Sequence, residues 1–278
     1  MEHIQPLPPP SPTGPFEPER RPLWRRIGAA AAAIGALIAN FAAKLKLLLV
    51  ALPKLKLLTT SGSMLVSVAA YSLFFGWTFA VGFVLLLLVH EMGHVIQLRR
   101  EGIKASAPMF IPFVGAVVAA KSLGENATAE ARVGLAGPVL GSLAAAALIP
   151  VYLVTGDELW RALAFTGFFL NLINLLPVVP LDGGRAMAAM APWMWFVGFA
   201  ALVGLTIAFP NPILLIVLLF GGMETWRRWR QRRAGGEEQE AYYRVTPRAR
   251  AAVAAVYVGL IVALAVGMDL SHVQRTLG

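Results

Sequence analysis

Cysteine is absent from the 278 residues, which rules out both a disulfide framework and any thiolate metal site. Charge is scarce as well: Asp, Glu, Lys and Arg together make up 14% of the chain, while apolar residues reach 58%, far from a soluble globular average. Acidic side chains number 15 against 24 basic ones, a net charge of +9. Such an excess suits either nucleic acid or an anionic membrane surface. The basic residues flank apolar runs and do not form an aromatic-interleaved face, so nucleic acid is excluded as a partner. A long apolar chain with basic flanks is an all-α polytopic membrane protein whose partner is the lipid bilayer.

No basic start followed by a long apolar core is present, so a cleaved secretory signal is not expected. Residues 1–22, with Pro8-Pro9-Pro10, read as a disordered Pro-rich tail. Residues 23–56 are Ala-rich and then Lys/Leu-rich, with Lys44-Leu45-Lys46-Leu47-Leu48 recurring as Lys54-Leu55-Lys56-Leu57-Leu58, and read as helices on the membrane surface. Ile27 to Ala43 is only marginally long enough to span. Apolar runs predict spans near 57–75, 78–98, 131–154, 159–176, 193–209, 212–226 and 251–268. Residues 109–120 are apolar but too short to span, and Pro108, Pro112 and Gly115 oppose a helix, so a re-entrant hairpin is expected. The core thus covers 57–226, a charged linker 227–250, and a C-terminal span and tail 251–278.

When these spans alternate, Lys44–Lys56, Arg99–Lys104, Arg185 and Arg227–Arg233 fall on one side of the membrane. The opposite loops are nearly free of Lys and Arg, so the basic side is expected to be cytoplasmic.

Into this apolar background the sequence places His90-Glu91-Met92-Gly93-His94, immediately after the uncharged run Phe79 to Val89. On a helix the two histidines lie one turn apart on one face and both imidazoles reach a single Zn²⁺; Glu91 beside them can take a proton from water. A helix-end His paired with Glu would look the same. At membrane depth, however, two imidazoles and a carboxylate are costly unless they serve chemistry. The remaining histidines, His3 and His272, lie near the termini in polar surroundings, so a third ligand should be a carboxylate. Asp182 stands out, in Asn174-Leu175-Leu176-Pro177-Val178-Val179-Pro180-Leu181-Asp182-Gly183-Gly184-Arg185. Pro177 and Pro180 cannot both sit in an unbroken helix, so the backbone must unwind, and Gly183-Gly184 gives it room to turn. Irregular backbone at this depth is tolerated only where protein buries it or a cavity is lined. A loop Asp capping the next helix would fit the same pattern. Both motifs fall toward the cytoplasmic ends of their helices, at one depth, as a shared metal requires.

Together HEMGH and NLLPVVPLDGG resemble the site-2 protease family of intramembrane zinc metalloproteases. Phe110-Ile111-Pro112-Phe113-Val114-Gly115-Ala116 resembles that family's membrane-embedded hairpin, and Ala136-Gly137-Pro138 the start of its third core helix. The resemblance runs from about Leu57 to Trp226. One departure is visible: many members carry Asn shortly after the G-P, where this chain has Val139-Leu140-Gly141. The resemblance implies a six-helix metalloprotease core with a re-entrant hairpin, one Zn²⁺ on His90, His94 and Asp182, and Glu91 as the proton carrier. It also implies that Asn174 donates to the developing oxyanion or holds the substrate strand, although a helix-packing Asn reads equally well. Many members carry PDZ or CBS modules, for which no internal gap here has room. The expected activity is cleavage of membrane-anchored, single-pass substrate proteins within the bilayer of the cell membrane, with the active site toward the cytoplasm. Two other readings stand beside it. A zinc transporter or other non-proteolytic zinc-binding membrane protein would not need Glu91 beside a ligand, and an inactive scaffold would not need both motifs intact.

Overall fold

A computed structural model of the chain describes residues 60–120, 122–209 and 212–272. The expected tail at 1–22, the surface helices at 23–56 and residues 273–278 lie outside the described residues. The described chain is almost entirely helical: α1 (Thr60–Phe75), α2 (Trp77–Arg100), α3 (Ala127–Thr155), α4 (Glu158–Asn174), α5 (Asp182–Met190), α6 (Met194–Ala208), α7 (Pro212–Ala234), α8 (Glu237–Tyr242) and α9 (Pro247–Ser271). Its β structure is one antiparallel hairpin, β1 (Met109–Ile111) and β2 (Gly115–Val117), with Phe110 opposite Ala116.

The helices α2, α3 and α9 are each long and apolar enough to cross a bilayer. Their 24, 29 and 25 residues reach beyond the ~30 Å hydrocarbon core at about 1.5 Å per residue. The chain is an all-α polytopic membrane protein. Of the seven spans expected from hydropathy, α1, α4 and α6 are shorter, at 16, 17 and 15 residues. α1 stops at Gly76, which has a positive φ, α4 stops ahead of Pro177, and α6 lies between Pro192 and Pro210. The linker expected at 227–250 is also largely ordered: α7 continues to Ala234, α8 follows, and α9 begins at Pro247 with Thr246 capping it through a hydrogen bond to the Ala249 N–H.

α3 is the central element. Asn126 caps it, accepting from the Ala129 N–H at 3.0 Å, and α2, α4, α5 and α9 all pack against it. The main core gathers Leu135, Phe168, Leu175, Met187, Trp195 and Leu264 from five different helices and the unwound segment after α4. A smaller cluster, Val68, Tyr71, Ala80, Val84 and Phe110, joins α1 and α2 to the hairpin. Two side chains of α1 hold the hairpin: the Ser63 hydroxyl accepts from the Phe110 N–H at 3.1 Å, and the Tyr71 hydroxyl accepts from the Phe113 N–H at 3.0 Å. Buried charge anchors the polar end of the bundle. Glu130, 1% exposed in the first turn of α3, meets Arg228 Nη1 of α7 at 2.6 Å and accepts from the Tyr242 hydroxyl of α8.

Candidate metal centre

The expected break after α4 is present. Residues 175–181 are unwound and contain a cis peptide at Val179-Pro180. The glycines act differently from the expectation. Gly183 and Gly184 are helical residues of α5, and Asp182 itself opens that helix, with Leu181 at the cap position. Their value is close approach: a Cβ on Gly183 would lie 2.0 Å from the Leu175 carbonyl oxygen, and one on Gly184 2.4 Å from the Val178 carbonyl carbon. Gly198 of α6 does the same against Pro177, at 2.3 Å from its carbonyl oxygen. The unwound strand is thus wrapped by bare helix backbone. The freed Leu175 carbonyl is satisfied from outside by Tyr257 of α9, which donates to it at 2.6 Å, and Trp195 Nε1 of α6 donates to the Gly184 oxygen of α5 at 2.7 Å. α9 is therefore part of the core that shapes this segment.

This packing brings Asp182 to the histidine turn of α2. His90 Nε2 and His94 Nε2 are 3.1 Å apart, and Asp182 Oδ2 lies 3.2 Å from the first and 3.3 Å from the second. All three residues are buried, with 5–6% exposure. A tetrahedral site with ligand bonds of ~2.0 Å has edges of about 3.3 Å, so the triangle has the dimensions of one face of such a site. The opposite ring nitrogens are both engaged: His90 Nδ1 donates to Asn171 Oδ1 at 2.8 Å, and His94 Nδ1 donates to the Val133 carbonyl at 2.8 Å. Those bonds fix the tautomers and turn both Nε2 lone pairs inward. Two imidazole Nε2 atoms and one carboxylate oxygen facing each other form a donor set that a divalent cation would complete.

A stripe of glycines on α3 forms one wall of the site. Gly134, Gly137 and Gly141 follow at intervals of three and four, on one helix face. A Cβ on Gly134 would meet the Arg185 side chain at 2.8 Å and the Asp182 carbonyl oxygen at 2.9 Å. One on Gly137 would lie 2.2 Å from His94 Nε2 and 2.8 Å from His90 Nε2, and one on Gly141 2.5 Å from Asn171 Oδ1. Each site residue occupies the space of one missing methyl group. From the other side Gly93, between the two histidines, would place a Cβ 2.3 Å from the Ala136 carbonyl oxygen. The histidine turn and α3 therefore meet backbone to backbone.

Glu91 is half-buried and forms no hydrogen bond or ion pair with any described residue. The ionisable groups nearest it are His94, His90, Asp182 and Arg185. Asn174, in the last turn of α4, is half-buried and likewise has no partner among the described residues. His272 is exposed and rests edge-on against Phe165, and His3 lies outside the described residues. Two residues next to the site carry no catalytic reading in the sequence. Asn171 is one helical turn from Asn174 and equally polar in an apolar helix; that polarity is the available signal. Arg185 reads from the sequence only as a topology-setting charge, yet its Nη1 is 3.7 Å from Asp182 Oδ1.

Comparison with known proteins bears on this segment directly. Residues 78–157, which include the histidine turn and the glycine stripe, match peptidase family M50. The chain is 28% identical over 160 residues to a zinc metalloprotease of Methanocaldococcus jannaschii, covering 56% of this chain and 45% of that protein. It is 30% identical over 149 residues to Rip3 of Mycobacterium tuberculosis, a provisional zinc metalloprotease by its name, covering 49% of this chain and 36% of that protein. It therefore spans less than half the length of each of these relatives.

Proposed function

We propose that this protein is an intramembrane zinc metalloendopeptidase that cuts membrane-anchored, single-pass substrate proteins within or beside their transmembrane segments. The observation that carries the reading is the triangle of His90 Nε2, His94 Nε2 and Asp182 Oδ2 with edges of 3.1–3.3 Å, buried between apolar helices. His90, His94 and Asp182 hold one Zn²⁺, whose Lewis acidity, when it is bound, activates water and polarises the scissile carbonyl. Zinc in the names of both relatives agrees with this donor set.

The protein's own residues then divide the work. Asn171 and the Val133 carbonyl keep both Nδ1 atoms protonated, so the Nε2 lone pairs stay available. Glu91, unpaired and beside the ligands, takes a proton from the attacking water as its oxygen bonds to the carbonyl carbon. It returns that proton to the amide nitrogen as the C–N bond breaks. The Asn174 amide donates to the oxyanion or to the substrate strand. The hairpin supplies the place for an unfolded substrate. Ser63 occupies the outer edge of β1 at Phe110, so the edge of β2, Gly115–Val117, is the side that can accept an added strand. By the positive-inside rule the site faces the cytoplasmic half of the cell membrane.

The test is a cleavage assay in reconstituted bilayers on single-pass proteins with helix-weakening residues, comparing wild type with Glu91→Gln. Cleavage by wild type and its loss in Glu91→Gln, with metal content unchanged, is the expected result. Equal cleavage by both proteins would contradict the reading.

A further inference from the structure

A second concave site, of about 540 Å³, lies at the far end of α5 from Asp182, where α5 and α6 join beside the ends of α7 and α9. Three guanidinium groups line it, Arg232 and Arg233 from the last turn of α7 and Arg250 from the first turn of α9. No carboxylate lines it, and none of the three arginines pairs with an acidic group of any described residue. Two are held from the side by aromatic faces: Arg233 stands over the Trp229 ring at 5.3 Å and Arg232 over the Tyr243 ring at 5.0 Å. Trp193 and Trp229 form the walls, with Pro192 between α5 and α6. Three unpaired cations converging on one concavity repel one another, and an anion placed among them removes that cost.

The surroundings select the anion. Tryptophans at the ends of apolar helices mark the membrane–water interface, and basic pockets between such helices take phosphate head groups. Trp193 is exposed just before the apolar helix α6, and Arg250 sits where the spanning helix α9 begins. We propose that this pocket binds the phosphate head group of an anionic phospholipid, with Arg232, Arg233 and Arg250 on the phosphate and the two tryptophans against the glycerol and upper acyl region. The shared chemistry is a phosphate ester. The lipid is favoured over a soluble phosphate because the cations open onto apolar, tryptophan-lined walls. The site is independent of peptide hydrolysis, and its occupant would touch the end of the short helix that begins at Asp182.

The experiment is native mass spectrometry of the full chain released from nanodiscs of equal phosphatidylglycerol and phosphatidylcholine. Wild type should retain phosphatidylglycerol specifically. Arg232→Gln/Arg233→Gln/Arg250→Gln should weaken retention by about a hundredfold, given the usual contribution of three basic residues near a charged surface. A control with the same charge loss, Arg99→Gln/Arg100→Gln/Arg230→Gln, should retain it as wild type does. The Lys-for-Arg triple at the pocket, which keeps the charge, should stay within about tenfold of wild type and shows that loss in the Gln triple is not misfolding. Equal loss in both Gln triples, or retention in the pocket triple, overturns the proposal. Displacement of the lipid by millimolar inorganic phosphate would also overturn it, since the pocket would then read phosphate alone.

Discussion

Tyr257 and Leu175, 82 residues apart in the chain, are joined by a 2.6 Å hydrogen bond from the tyrosine hydroxyl to the leucine carbonyl. That carbonyl belongs to the first residue past α4 and faces the bare backbone of Gly183, one residue beyond Asp182. Helix α9 thus reaches Asp182 through two contacts. Tyr257→Phe keeps the ring packing and leaves a buried carbonyl without its donor, at a cost of ~1–3 kcal/mol. Lower thermal stability and weaker metal retention are expected together. A Phe variant with wild-type melting temperature and wild-type zinc content would show that the break holds its shape without α9.

Asn171 fixes the His90 ring, and partners in that role are commonly worth 10–100-fold in metal affinity. Asn171→Leu should fold, because the position is buried in an apolar helix, yet lose zinc to a chelator at a concentration about 10-fold or more below that needed for wild type. Chelator titration checks this, and superimposable curves would deny Asn171 its positioning role.

Gly137→Ala tests the glycine wall. The added methyl would lie 2.2 Å from His94 Nε2, whereas a methyl at Gly259 of α9 would have nothing within 4 Å. Alanine at 137 should abolish stoichiometric metal binding. Alanine at 259 should leave it intact and stabilise α9 by roughly 0.5–1 kcal/mol. Zinc content of the two purified variants, side by side, decides it.

The buried cluster at the polar end makes a stability prediction. Glu130→Ala leaves Arg228, whose side chain is 14% exposed, with Glu224 at 3.0 Å as its remaining carboxylate, and should cost less than the about 3–5 kcal/mol of a fully stranded buried charge, whereas Glu130→Leu/Arg228→Met should cost less still. Burial and the adjacent Glu130 carboxylate push the Tyr242 phenol well above its usual range. Its folded form keeps the proton while the unfolded chain begins to lose it near pH ~10. The stabilisation is therefore complete below that pH and declines as pH rises past it. Melting temperatures from pH 8 to 11 should fall more steeply for wild type than for Tyr242→Phe; parallel curves would contradict the assignment.

The three residues of the candidate metal centre are legible in the sequence because each leaves a local mark. His90 and His94 have helix-face spacing, and Asp182 follows two prolines that must break a helix. The hairpin can be read at 109–120 from Pro112 and Gly115. What stays hidden depends on contacts between distant segments. Gly134, Gly137 and Gly141 look like ordinary small residues of a membrane helix until His94, Asn171 and Arg185 are seen in the spaces they leave. Gly183-Gly184 looks like a turn because the sequence shows glycine's freedom but not the Leu175 carbonyl pressed against it. Asn171 and Asn174 cannot be told apart without knowing which face of α4 meets α2. α9 reads as an added span because Tyr257 carries no mark of its distant partner.

The central claim is that Asp182 completes a zinc site with His90 and His94, and X-ray absorption at the zinc edge tests it most directly. Wild type and Glu91→Gln should each bind about one zinc with two imidazole nitrogens and light oxygen ligands at ~2.0–2.2 Å. Asp182→Ala should lose stoichiometric zinc while remaining folded. An Asp182→Ala protein with full zinc occupancy and an unchanged absorption spectrum would contradict the account.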